Sequence, residues 1–171
     1  MAGNLEFIKS GTGSSVHTLD IDDCFSADYD VYLCTMTKVQ HITDANSTVF
    51  MRYKSSGGVD SGTNYDKALL GMKAYGSFTE SRVTGSTTLN VSYANSQQSY
   101  QTGTRFYIYN PYDSSSYTFS SGIFSHYYNV NGLEGYRHIG VHKVAQQNTG
   151  LQLVMAGSEV ANLEIKVFGV K

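Results

Sequence analysis

Alternation constrains this chain most. Runs such as Val31-Tyr32-Leu33-Cys34-Thr35-Met36-Thr37, Leu89-Asn90-Val91-Ser92-Tyr93, Phe106-Tyr107-Ile108-Tyr109 and Leu163-Glu164-Ile165-Lys166-Val167 are rich in β-branched and aromatic residues and recur from residue 5 almost to the end. Successive side chains of an extended strand point to opposite faces, so a period of two builds two-faced strands. Turn-forming clusters separate the runs, among them Gly11-Thr12-Gly13-Ser14, Ser55-Ser56-Gly57-Gly58, Asn95-Ser96-Gln97-Gln98-Ser99, Asp113-Ser114-Ser115-Ser116, Asn131-Gly132 and Gly157-Ser158. The pattern predicts strands over 5–9, 15–21, 30–40, 48–54, 66–75, 87–93, 104–110, 116–120, 123–130, 136–144, 151–156 and 161–168. Only 65–75 also fits a helix, because Tyr65, Leu69, Met72 and Tyr75 would share one helical face; strand is the preferred reading. Short strands at this spacing imply an all-β fold, an antiparallel β-sandwich of jelly-roll-like form with two sheets about 10 Å apart. At 171 residues one domain, 1–171, accommodates the whole chain.

Charge excludes several functions. Charged residues make up 15% of the chain and the formal net charge is −2, too weak a field to hold nucleic acid or an anionic membrane. The two cysteines, Cys24 and Cys34, are too few for a disulfide scaffold and read as free thiols. Met1–Lys9 lacks the basic flank and apolar run of a secretory signal, and no stretch approaches the ~20 apolar residues of a membrane-spanning helix. The expectation is a protein made in the cytoplasm. Heptads and short internal repeats are missing, so the chain does not read as a fibre shaft.

Single residues point to no chemistry. Asp20, Asp22, Asp23, Asp28 and Asp30 form the densest set of oxygen ligands, but Phe25 and Val31 break the pattern of a helical Ca²⁺ loop, and the stretch reads as a solvated connection. His138 and His142 have a zinc-like spacing; on a strand, four residues span about 13 Å and cannot share one ion. Neither a Gly-x-Ser-x-Gly elbow nor a phosphate-cradling loop occurs, and Asp60, Glu80, Asp113 and Glu134 read as ordinary loop acids. The expectation is therefore no catalytic, cofactor-binding or metal-binding residue, and a chain that is not an enzyme. A free carbohydrate-binding module or small glycosidase is the contrary reading, since two carboxylates distant in sequence suffice for glycoside hydrolysis. Tyrosine is abundant at 14 residues, and a large apolar ring with a polar tip suits subunit contacts and sugar platforms. Tyr107, Tyr109, Tyr112 and Tyr117 are the candidate ligand or interface residues.

Four phrases carry a resemblance: the opening Met1–Ser10, Asn110-Pro111-Tyr112-Asp113-Ser114-Ser115-Ser116-Tyr117-Thr118-Phe119, Ile139-Gly140-Val141-His142-Lys143, and the close Ile165-Lys166-Val167-Phe168-Gly169-Val170-Lys171. In these the chain resembles small virion structural proteins of tailed bacteriophages, marine phages especially. The resemblance implies a sandwich or jelly-roll module on the outside of a particle, as capsid decoration, cement or knob protein, with no family site residues to carry over. Its partners would be the major capsid protein or tail components, together with copies of itself, a trimer by analogy. Strands 5–9 and 161–168 are the candidate docking elements. The alternative is a tail-fibre or receptor-binding module that recognises host glycan through the four tyrosines.

Overall fold

The computed structural model describes residues 5–42, 47–95, 100–128, 132–157 and 159–171. The turn expected at 96–99, the end of strand 123–130, Asn131 and Ser158 lie outside them. Among the described residues thirteen strands run β1 (Leu5–Gly13), β2 (Thr18–Ile21), β3 (Val31–His41), β4 (Ser47–Ser55), β5 (Gly58–Val59), β6 (Tyr65–Lys73), β7 (Thr79–Ser86), β8 (Leu89–Ala94), β9 (Thr102–Tyr109), β10 (Thr118–Tyr128), β11 (Gly132–His142), β12 (Gly150–Met155) and β13 (Val160–Val170). They make an antiparallel β-sandwich. One sheet has eight strands in the order β1-β13-β3-β9-β10-β11-β6-β7; the other has β2-β12-β4-β5, with β8 also paired to β4.

Alternation accounts for the core. Tyr32, Cys34 and Met36 of β3, Phe106 and Ile108 of β9, and Ile165 and Val167 of β13 point inward and are buried. They meet Val49, Met51 and Tyr53 of β4, Leu89 and Val91 of β8, and Leu151 and Leu153 of β12 from the smaller sheet. Burying a side chain of this size stabilises the fold by about 1.5–3 kcal/mol. Both cysteines are free and buried, as the sequence suggested, and residues 65–73 form a strand.

Two glycines correct the predicted boundaries. The sequence splits 116–130 at Ser121-Gly122, yet β10 runs unbroken from Thr118 to Tyr128. A Cβ on Gly122 would sit 2.4 Å from Phe106 Cβ and 2.6 Å from the Arg105 carbonyl, so this glycine permits close strand packing and makes no turn. Gly11 likewise lies inside β1, where a Cβ would meet Ile21 Cδ1 at 2.2 Å. The predicted 15–21 strand shortens to Thr18–Ile21, because Ser15 takes a left-handed φ of 53°. Neither β5 nor β7 was predicted.

Candidate functional site

Register places the outer face of the eight-stranded sheet side chain by side chain. One row crosses six strands as Leu5, Val170, Val31, Tyr109, Phe119 and Val141. The next crosses seven as Phe7, Phe168, Leu33, Tyr107, Ser121, Ile139 and Ala68. A third continues from Lys166 through Thr35, Arg105, Ile123 and Arg137 to Leu70. The first two rows are apolar apart from Ser121 and from Asp66 of β6, which continues the first row opposite Val141. Phe119 is 47% exposed, Ile139 55% and Phe7 56%. On the same face Ala68 of β6, Arg82 of β7, Tyr109 and Phe119 wall a groove of about 690 Å³.

The inner face of β10, β11 and β6 has the opposite character. His126, Glu134, His138 and His142 are buried there, and Lys67 and Lys73 share that side of β6. Along β11, Leu133, Ile139 and Val141 point outward while Glu134, Tyr136, His138 and His142 point inward. Strand β11 is therefore inverted, whereas β10 and β6 also bury Phe124, Tyr65 and Leu69 on the inner side. A sandwich strand ordinarily turns its apolar residues toward the opposite sheet.

The inward polar groups hold one another. Glu134 accepts hydrogen bonds from Tyr75 and, at 2.7 Å, from Tyr136, with Lys73 Nζ at 3.6 Å and His126 Nε2 at 3.2 Å. Burial, and then the charge of Lys73, push His126 down to about 4; burial alone takes His138 to about 4. Burial and the Glu134 hydrogen bond raise the Tyr136 phenol. At the far end of β11, His142 lies 2.6 Å from Asp60, stacks on Tyr65 and packs at a tilt against Tyr53. Burial works to raise the Asp60 carboxyl, but hydrogen bonds from His142, Asn64 and the Gly62 amide outweigh it and hold the group below its usual range. Glu134 and Asp60 are thus anchored partners of histidines and not ordinary loop acids. The one sequence signal for Glu134 is shared parity: Glu134, Tyr136, His138 and His142 are even numbers of residues apart along one strand.

The four candidate tyrosines separate into two places. Tyr107 and Tyr109 stand together on the outer face, rings stacked at 6.3 Å, with the Tyr109 hydroxyl 3.1 Å from Ser121 Oγ. Tyr112 lies instead in a polar cleft beside Tyr29, Asp30, Asn110 and Gln147, and Tyr117 is exposed in the β9–β10 connection. Sequence reasoning missed Phe119, Ile123, Ile139 and Arg105, which complete the face around Tyr107 and Tyr109. Arg105 and Arg137 flank Ile123, and among the described residues neither pairs with an acid. In the acidic stretch, Asp20 and Asp22 both reach Lys54, at 2.9 and 2.5 Å. Of the two expected docking strands, 161–168 lies within β13 and has hydrogen-bonded neighbours on both sides, whereas 5–9 lies in β1 at a sheet edge.

No family model matches the chain, and no curated protein matches it. Among solved structures it is similar to the marine PL-14 alginate lyase from Aplysia kurodai, with 9% identity over 86% of this chain and 72% of that one, at a TM-score of 0.36. It is also similar to the CBM2 module of the evolved Dit of Lactobacillus casei BL23 phage J-1, with 9% identity over 90% of this chain and 69% of that one, at a TM-score of 0.27. Neither likeness bears on substrate or site. The first does correct one expectation, that the chain is not an enzyme: an enzyme stands among its structural neighbours. Missing nucleophile and phosphate motifs were weak ground for that exclusion, because acid–base catalysis by Tyr, His or a carboxylate needs no local motif. The described residues contain no helix long and apolar enough to cross a membrane.

Proposed function

We propose that this chain is a component of a tailed-phage particle, an accessory protein that seats on neighbouring virion proteins through the outer face of its eight-stranded sheet. One observation carries the reading: β10, β11 and β6 leave Phe119, Ile123, Leu133, Ile139, Leu70 and Met72 exposed on the outer face, while His126, Glu134, His138 and His142 take buried inward positions beside Phe124, Tyr65 and Leu69. Water alone rewards the reverse arrangement, and monomeric proteins rarely expose contiguous apolar patches beyond a few hundred Å². Seven strands at 4.8 Å and three rows give a ridged face of roughly 30 by 15 Å, about 450 Å² in projection, smaller than a standard interface and suited to a weak contact repeated over many copies. Its composition is that of an interface centre, with Tyr, Phe, Met72 and Arg present and few acids. The phage setting and the location on the particle rest on the sequence resemblance.

A second reading, recognition of host glycan, is favoured by Arg105, Tyr107 and Tyr109 standing in line on β9 with the two rings stacked. Aliphatic Ile123, Ile139 and Leu70 beside them make poor sugar contacts, so the protein partner is preferred.

Cryo-electron microscopy of particles lacking the protein, after adding it back, tests the reading. Wild-type protein restores density on the particle surface. The double variant Phe119→Glu with Ile139→Glu changes only exposed positions, so it keeps its far-UV spectrum; it loses occupancy at least about tenfold, since each covered side chain contributes about 2 kcal/mol. Equal occupancy of the folded double variant would sink the proposal, and glycan-array binding that Tyr107→Ala and Tyr109→Ala abolish would put the second reading in its place.

A further inference from the structure

The eighth strand of the larger sheet is unusual in what it leaves bare. None of the eight residues of β7 is buried, and seven are exposed. The strand forms one edge of the sheet, hydrogen-bonded to β6 on one side only, so the backbone groups of its other side have no strand partner among the described residues. From Thr79 to Val83 it pairs residue for residue with Gly71 to Lys67 and contains no bulge and no proline; the register shifts only beyond Val83, where Gly85 takes a φ of 66°. Natural sheets blunt such edges with bulges, prolines or charges of one sign that repel a second copy. The opposite edge follows that rule, because β1 carries a bulge between Phe7 and Lys9. On β7 the charges are Glu80 and Arg82, one of each sign, two residues apart and therefore on one face.

That spacing is self-complementary. If two copies of β7 run antiparallel about a two-fold axis through Ser81, each residue i faces residue 162 − i of the other copy. Glu80 then faces Arg82 of the second copy, Arg82 faces its Glu80, and Thr79 faces Val83. Within one chain the two side chains approach only to 3.6 Å and are 74% and 84% exposed, so both remain available to the second pair. We propose that β7 is a self-association edge, and that two copies of this chain join their eight-stranded sheets through antiparallel β7 pairing centred on Ser81, locked by reciprocal Glu80–Arg82 contacts. Closed two-fold contacts of this isologous kind are the commonest in soluble oligomers. The contact uses a backbone edge and stands whether or not the outer face docks as proposed above. Because the axis is perpendicular to the sheet, both outer faces point the same way.

Sedimentation velocity of the intact chain across the micromolar range, with charge variants, tests this directly. Wild-type protein shows a concentration-dependent dimer. Glu80→Arg alone, or Arg82→Glu alone, sets like charges opposite one another and weakens dimerisation at least about tenfold. Combining Glu80→Arg with Arg82→Glu restores it, an outcome that loss of folding cannot imitate. Ser81→Cys forms an intermolecular disulfide under mild oxidation, since the two sulfurs meet on the axis, whereas Ser114→Cys, exposed on a distant loop, does not. A chain monomeric throughout the range, a dimer indifferent to the single reversals, or a dimer in which Ser81→Cys fails to cross-link would each overturn the proposal.

Discussion

At the scale of residues, the unusual chemistry is the set of histidines held neutral between the sheets. His126 faces Lys73, Glu134, Tyr93 and Tyr136, and His138 lies against Phe106 and Phe124. Both titrate near 4 in the folded chain, against about 6.5 in the unfolded one. Between those values the unfolded chain binds more protons, so stability declines as pH falls from about 6.5 and stops declining on their account below about 4. The loss is of the order of 3 kcal/mol per histidine at most. Urea denaturation is therefore expected to show a clearly lower midpoint at pH 4.5 than at pH 7, and the gap narrows when His126 and His138 are both replaced by Gln; equal midpoints in the wild-type protein would contradict the burial described. None of this was legible beforehand. A histidine on a strand is assigned to a face only once its neighbours are known, and on β11 Leu133, Ile139 and Val141 take the outer face.

At the scale of elements, the sequence was informative where one face is buried and silent where neither is. Strands β3, β4, β9, β12 and β13 announce themselves because Cys34, Met51, Phe106, Leu153, Ile165 and their neighbours alternate with partly exposed residues. Thr79–Ser86 has a single large apolar residue, Val83, because no sheet covers it, and a pattern built on burial passes over it. Glycine misled for a related reason: in β10 it marks a place where backbones approach, and sequence alone cannot tell that from a turn. The contrast between two glycines on adjoining strands tests the account. Gly122→Ala is expected to cost about 1–3 kcal/mol of unfolding free energy, because its Cβ would press on Phe106 and on a backbone carbonyl. Gly103→Ala, with nothing within 4 Å of its Cβ, is expected to be neutral or to stabilise by up to about 1 kcal/mol. Thermal denaturation of the two variants side by side distinguishes them, and equal effects would mean that Gly122 is not tightly packed.

At the scale of the whole molecule, the two sheets close over a core that includes Cys34 of β3 and Cys24 of the β2–β3 connection. Burial pushes the Cys24 thiol up to about 12 and raises Cys34 well above its ordinary value. Neither thiol is expected to react with a disulfide reagent at neutral pH until the sandwich opens, so the labelling rate of Cys34 should track the denaturant dependence of global unfolding. Rapid labelling in the native state would place Cys34 outside the core. Strand order has a consequence in time as well as in space. The neighbours of β3 are β9 and β13, that of β1 is β13, and that of β2 is β12. During synthesis the first three strands therefore wait without partners while more than half the chain is made, and their apolar faces stay open to other chains throughout. Chains dominated by such distant pairings fold in milliseconds to seconds, so the yield of this protein depends on how fast its last strands arrive and on what meets its first strands before they do.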